Sequence, residues 1–427
     1  MTTTTSFCEF LNQTPTSWHA ISVMKAGLKK AGFKELLENQ TWKVQYGGAY
    51  FVARGGTLGA FVIPQKKLTR AHLVYSHTDS PSLKLKPHAE YHQSHMTQWG
   101  VEVYGEPLLS SWLNRDLSLA GRIHFGNKSI EEKLVRLTTP FTIPQLAVHL
   151  DREVNDKGLL LNRQDHLPVL AQMSSNEKKS LLSDLLKPHL KGQKLRSFEL
   201  FFYPLEEARM LGQDEDLVAS YRLDNLSSAF PCYSAIKTIG KTSNDTLALA
   251  LFWDHEEIGS TTHEGASSPF LTTVLERICL GLNLDRQDYL KLLSQSKALS
   301  LDAAHALHPN YLDRSEPRHE VLLGKGVALK VNAKQRYAYD GKLAAEIQLL
   351  AQHHRIPLQT YVNRTNLPCG STVGPLSSAQ SGIMTLDLGC PLLSMHSIRE
   401  IVSFKDVLTM EKLVKAFLKN NESFGPL

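Results

Sequence analysis

Residues 254–260 read DHEEIGS and follow an apolar run, 247–253. Two adjacent carboxylates at the end of a buried-looking strand carry a desolvation cost that a nearby cation would offset. The same design recurs along the chain. His77 and Asp79 follow Leu73, Val74 and Tyr75; Asp302 follows the run 298–301; His396 follows 391–395. Asp224 belongs with them, in the stretch RLDN at 222–225, at the mouth of a helix expected over 226–239. In open α/β sheets the functional crevice lies at the carboxyl ends of the strands, so side chains distant in sequence converge there.

This set offers two imidazoles, several carboxylates and no thiolate. Nitrogen and oxygen ligands of this kind suit zinc, with manganese or cobalt as alternatives. One ion would use one histidine and one or two carboxylates and leave negative charge unmatched. Two ions sharing a carboxylate match the set better, and a pair about 3.5–4 Å apart can clamp a water and a carbonyl oxygen together. Plainer roles compete residue by residue. His77 alone fits a hydrogen-bonded loop histidine, DHEE alone fits an acidic loop, and Asp302, His305 and His308 fit turn positions before Pro309. The order His255-Glu256-Glu257 is not H-E-x-x-H, no G-x-S-x-G occurs, and Gly324-Lys325-Gly326 is too short for a phosphate loop.

The elements that must position these residues follow from periodicity. An amphipathic helix is expected over 15–36, capped by Thr16 or Ser17, with Ala20, Val23, Met24, Leu28 and Ala31 on one face. Segments 49–53 and 59–63 flank a Gly-Gly turn as a hairpin, and 71–75 reads as a buried strand. From about 89 to 222 strand-like pieces such as 198–203 alternate with loops, around one helix expected over 177–190. After 223, helices at 226–239, 269–282 and 341–354 alternate with apolar strands such as 246–253. The expected class is α/β, with helices packed on a mixed central sheet. Residues 1–88 and 223–427 form one discontinuous domain, and 89–222 is a β-rich insertion.

Composition narrows the partners. The chain has 427 residues, 42% hydrophobic and 21% charged, which is globular rather than disordered and long enough for about two domains. The net charge of +5 is a mild excess, and the basic cluster at 187–194 lacks interleaved aromatics, so it reads as a solvated surface and not a nucleic-acid site. Five cysteines without a C-x-x-C spacing argue against a disulfide framework or a thiolate zinc site. No secretory pattern opens the sequence and no apolar run approaches the roughly 20 residues of a membrane span. No membrane partner is expected, and the expected location is the cytoplasm.

Together these stretches resemble the aspartyl aminopeptidase family of dinuclear metallopeptidases. The resemblance runs from Thr16 to Glu400 through SHTDSP (76–81), RLDN (222–225), DHEEIGS (254–260), AHALHPNY (304–311), QRYA (335–338), GSTVGP (370–375) and MHSIRE (395–400). It implies that His77 and Asp302 hold one metal, Glu257 and His396 the other, and that Asp224 bridges them. It implies that Asp79 orients His77 and that Glu256 is the general base. His305, Lys330 and Tyr337 match residues that hold substrate, and His149 matches a histidine reaching into a neighbouring subunit's site. The implied cofactors are two divalent ions, zinc first, with Mn²⁺ or Co²⁺ possible at one site. The implied substrates are peptides with a free N-terminal Asp or Glu, and the implied assembly is a tetrahedral dodecamer built through the inserted dimerisation domain. A broader metallo-aminopeptidase, an amide deacylase and a scaffold whose site has decayed are the competing readings.

Overall fold

Alternate residues of the run 247–253 face two different cores, which is why the segment reads as uniformly apolar. Leu247, Leu249, Leu251 and Trp253 join one cluster, and Ala248, Ala250 and Phe252 join the other. A sheet covered on both faces produces this pattern. The computed structural model describes residues 3–173, 180–240 and 245–420. Among them the strands form three sheets of nine, six and five strands.

The nine-stranded sheet is mixed. At its centre Thr246–Trp253, Arg70–His77, Lys297–Leu301 and Met384–Gly389 lie side by side and mutually parallel. The hairpin Ala49–Arg54 and Thr57–Val62 continues it antiparallel on one side, with Lys34–Leu36 at that edge. Val327–Val331 and Leu358–Val362 complete the other side. One face is covered by helices Thr3–Gln13, Ser17–Lys30, Leu223–Thr238, Gly341–His353 and Phe404–Lys419. Helices Phe270–Gly281, Arg286–Gln295 and Val373–Ser381 cover the other. This is the expected α/β class with helices on a mixed sheet.

The six-stranded sheet is antiparallel throughout and draws its strands from Ser82–Gln93 to Leu195–Pro204. It has a core of its own around Trp99, Trp112, Phe125 and Phe202. Its first strand therefore begins before residue 89. Strands Arg209–Leu211 and Leu217–Ser220 belong to the third sheet, where Leu217–Ser220 pairs with Glu400–Ser403 from the far end of the chain.

Several elements differ from expectation for local reasons. The helix expected over 15–36 is Ser17–Lys30, with Thr16 as its cap. Gly32 takes a φ of +88°, which ends the helix, and 34–36 is a strand. The helix expected over 177–190 is Leu181–Leu186, followed by a 3₁₀ turn at Lys187–His189; residues 177–179 lie outside the described ones. The helix Thr3–Gln13 was hidden by its threonine-rich start, although Phe7, Phe10 and Leu11 recur at helical spacing and are buried. Phe7 packs on Phe230 with ring centroids 5.1 Å apart, which seats this helix on the one that begins at Leu223. Phe7→Ala should therefore lower the unfolding free energy by about 3–5 kcal/mol in denaturant titrations, and a change within experimental error would mean the N-terminal helix is not part of the cooperative core.

Candidate metal centre

Three of the four central parallel strands end on the expected side chains. His77 is the last residue of its strand and sits in register with Trp253, after which the chain turns through Asp254 and His255 to Glu256 and Glu257. Asp302 follows Lys297–Leu301. Gly389 lies against this end of the strand, where a side chain has no room: a Cβ there would sit 1.9 Å from the Asp302 carbonyl oxygen. His396 arrives from the third sheet, three residues after Pro391–Leu393. Asp224 opens the helix Leu223–Thr238 with non-helical backbone angles. Arg222, His255 and His396 all hold positive φ, at 66°, 61° and 65°. Non-glycine residues at such angles cost about 1–3 kcal/mol each and persist where surrounding contacts enforce them.

The contacts are specific. His77 Nε2 lies 3.4 Å from Asp302 Oδ1 and 3.5 Å from Asp224 Oδ1. His396 Nε2 lies 3.5 Å from Asp224 Oδ2 and 3.5 Å from Glu257 Oε2. Asp224 thus faces one imidazole with each oxygen. These separations are long for charge-assisted hydrogen bonds. They match ligand atoms spread tetrahedrally about an ion with bonds near 2.0–2.2 Å, which stand about 3.3–3.5 Å apart. Asp224 Oδ1 and Glu257 Oε1 are buried without a hydrogen-bond partner. A buried carboxylate oxygen left unpaired demands an explanation, and a cation supplies one. The ligand atoms of His77, Asp224 and Asp302, of Asp224, Glu257 and His396, and of His77, Glu256 and Glu257 each fall within 4.8 Å of one another. The residues present therefore fit a metal ion.

The electrostatics say the same. Burial alone would lower both imidazoles, yet Asp224 and Glu257 push His396 up to about 11, and Asp224, Asp302 and Asp79 hold His77 well above its ordinary value. Burial pushes Glu256 up to about 8; His77 opposes this, and Asp302, Asp79 and Asp224 add to it. The cluster attracts positive charge strongly.

Nine of the eleven expected residues line one cavity of about 530 Å³: His77, Asp224, Glu256, Glu257, Asp302, His305, Lys330, Tyr337 and His396. Lys330 is buried, with Nζ 3.8 Å from Asp302 Oδ2 and 4.8 Å from the centre of the Tyr337 ring. His305 stands beside Tyr361, rings 6.2 Å apart. The two others lie outside this lining. Asp79 is buried behind His77. His149 sits in an exposed 3₁₀ turn, Val148–Leu150, and is not among the residues lining this cavity.

Asp79 does more than its expected role. His77 Nδ1 is 3.1 Å from its carbonyl oxygen and 3.4 Å from its carboxylate. That carboxylate also accepts the backbone N–H groups of Glu256 and Glu257, at 3.1 and 3.0 Å, and the Tyr104 hydroxyl at 2.7 Å. It therefore aims both glutamates. A second carboxylate does the same across the site and was missed from sequence. Glu400, 1% exposed, accepts the Asp224 N–H at 2.9 Å and the His396 N–H at 2.7 Å. Its sequence signal was a charge at the head of the strand Glu400–Ser403, four residues after His396. The His396 ring is fixed further by Nδ1, 2.9 Å from the Glu106 carbonyl oxygen.

An α/β sheet whose parallel strands deliver histidines and carboxylates to one crevice fits a metal-dependent enzyme. Comparison with known proteins identifies the family. Residues 10–418 match the model of the aminopeptidase I zinc metalloproteases (M18). A probable M18 family aminopeptidase 2 of Stutzerimonas stutzeri is 38% identical over 425 residues, covering 97% of each chain. One of the same description from Borreliella burgdorferi is 37% identical over 416 residues, again covering 97% of each. Among solved structures, the Ape4 and Nbr1 complex gives a TM-score of 0.91 at 34% identity, covering 97% of this chain and 85% of that one. The S. cerevesiae mApe1 dodecamer gives 0.84 at 26%, covering 97% and 96%. The chain belongs to the M18 family of zinc metalloproteases and is a metallo-aminopeptidase.

Because Glu400 holds two candidate ligands by their backbones, Glu400→Gln should weaken zinc binding by about 10–100-fold in competition titrations while leaving circular dichroism unchanged. Wild-type zinc affinity in this variant would mean the two N–H contacts are incidental.

Proposed function

We propose that the chain removes N-terminal aspartate or glutamate from peptides at a two-metal centre. The observation that carries this reading is the division of Asp224, one oxygen toward His77 and the other toward His396, each at 3.5 Å. One ion would sit among His77, Asp224 and Asp302, and a second among Asp224, Glu257 and His396. Two divalent cations there, zinc or with manganese or cobalt at one position, would supply Lewis acidity toward a carbonyl oxygen and neutralise the crowded carboxylates.

The chain's own residues carry the rest. Glu256 lines the cavity without belonging to either ligand trio that contains Asp224, which leaves its carboxylate available for proton exchange. It takes the proton of the attacking water and delivers one to the leaving amine. Asp79 fixes its backbone, so the carboxylate stays aimed at the reacting atoms. A free α-amine is met by the carboxylates of the site, which makes the enzyme an exopeptidase. Lys330 offers a buried ammonium to the first side chain, with His305 and Tyr337 completing that wall.

The wider organisation is read the same way. The inserted segment is read as the dimerisation unit and the rest as the catalytic unit; the separate core of the six-stranded sheet supports an insertion, with bounds nearer Ser82 and Pro204 than 89 and 222, since Leu217–Ser220 pairs with Glu400–Ser403. In a tetrahedral dodecamer His149 would reach a neighbouring subunit, and its exposure on a turn supports that reading. Five free cysteines accord with a reducing cytoplasm. Among the described residues no helix is long and apolar enough to cross a membrane.

Glu256→Gln should keep its zinc and lose about 10²–10⁴-fold in kcat, and near-wild-type turnover would assign the base elsewhere. With Asp-, Leu- and N-acetyl-Asp-peptides, only the free Asp-peptide should turn over well. Turnover of the blocked peptide would make the protein an amide deacylase, and preference for Leu a broader aminopeptidase. Lys330→Ala should cut kcat/KM for the Asp-peptide by about 30-fold or more, because an uncompensated carboxylate would remain in the pocket, and should spare the Leu-peptide.

A further inference from the structure

A second cavity, about 400 Å³, opens beside the catalytic one, and the two share His305 and Met395 as common wall. Its size falls in the range of ligand-binding clefts. Its lining comes from the segments around 305–321, 361–368 and 392–395, none of which supplies a ligand to the metal centre.

The charges on this wall are uneven. Arg314 and Arg364 are fixed cations. Glu316, also on the wall, is already engaged, 2.5 Å from His319 Nδ1. The Arg314 head is two-thirds exposed, with Asp313 3.5 Å away as its one ion-pair partner among the described residues. Arg364 donates to the Ser315 carbonyl oxygen at 3.3 Å and to Asn366 at 2.9 Å, which braces it between two loops of the wall. Arg314 pairs with Asp313 and Arg364 has no carboxylate partner among the described residues, whereas the neighbouring catalytic cavity is dominated by carboxylates. An anionic group that reaches Arg364 meets a guanidinium held only by neutral acceptors.

Resting on the aminopeptidase reading above, the geometry points to this cavity as a subsite for the peptide chain downstream of the scissile bond, with acidic side chains or the C-terminal carboxylate as its favoured ligand. The shared wall gives the reason. A peptide whose first residue lies against Lys330, Tyr337 and His305 has its continuation at the His305–Met395 boundary. An extended chain advances about 3.3–3.6 Å per residue, so two or three residues carry it into the second cavity. Selectivity of this enzyme then extends past the first residue.

The test measures kcat/KM for Asp-anilide, Asp-Ala-Glu-Glu-Ala and Asp-Ala-Lys-Lys-Ala, each peptide taken relative to the anilide with the same enzyme. Exposed ion pairs are worth up to about fivefold each, so the wild-type Glu-to-Lys ratio should reach about tenfold and shrink at 0.5 M salt. Arg314→Glu should bring the ratio to about one or below. A ratio near one in the wild type, or a tenfold ratio untouched by both salt and Arg314→Glu, overturns the subsite. Failure to release aniline from Asp-anilide, with all three substrates inert, would instead overturn the aminopeptidase reading and this subsite with it.

Discussion

The structure is organised around a charge problem. His77, Asp224, Asp302, Glu257 and His396 are brought together at the carboxyl ends of the central strands, along the wall of one cavity. Carboxylates gathered in this way repel one another, and two of their oxygens, on Asp224 and Glu257, have no hydrogen-bond donor. Bound cations would resolve the repulsion. The parallel central strands bring His77, Asp302 and the two glutamates to one end, the helix start at Leu223 adds Asp224, and the third sheet adds His396.

Holding such a cluster open for ions needs support at the backbone. Asp79 and Glu400 provide it from opposite sides. Asp79 receives the N–H groups of Glu256 and Glu257, and Glu400 those of Asp224 and His396. Each thereby ties together parts of the chain more than 170 positions apart. Arg222 and His396 accept left-handed backbone angles within the same framework, and Arg222 donates to the Thr78 carbonyl beside the His77 strand. The ligands are thus pre-positioned by carboxylates that sit one layer behind them, a common arrangement around catalytic metals.

What the sequence disclosed follows from how local each signal is. His77, Asp302 and the DHEE run were visible because an apolar strand stops abruptly at a charge. The strand Thr246–Trp253 was legible to its bounds, since both of its faces are buried. Asp224 was visible at a helix mouth, in a motif of the family. Glu400 and the backbone contacts of Asp79 were not, because they join N–H groups contributed by distant segments, and no spacing encodes them. Gly32 breaks an otherwise continuous helical pattern, so the helix over 15–36 was drawn too long. The helix at Thr3–Gln13 was overlooked because threonine disguises a pattern that Phe7, Phe10 and Leu11 carry alone. His149 sits in an exposed turn away from the cavity, and neither its spacing nor its surroundings within one chain reveal a role.

The central claim is that two cations, sharing Asp224, complete the site. Anomalous scattering at the zinc edge from crystals of active enzyme tests it directly. Two peaks per chain about 3.5–4 Å apart are expected, one against His77, Asp224 and Asp302 and the other against Asp224, Glu257 and His396. A single peak, or none, in crystals whose dissolved protein retains full activity would contradict it.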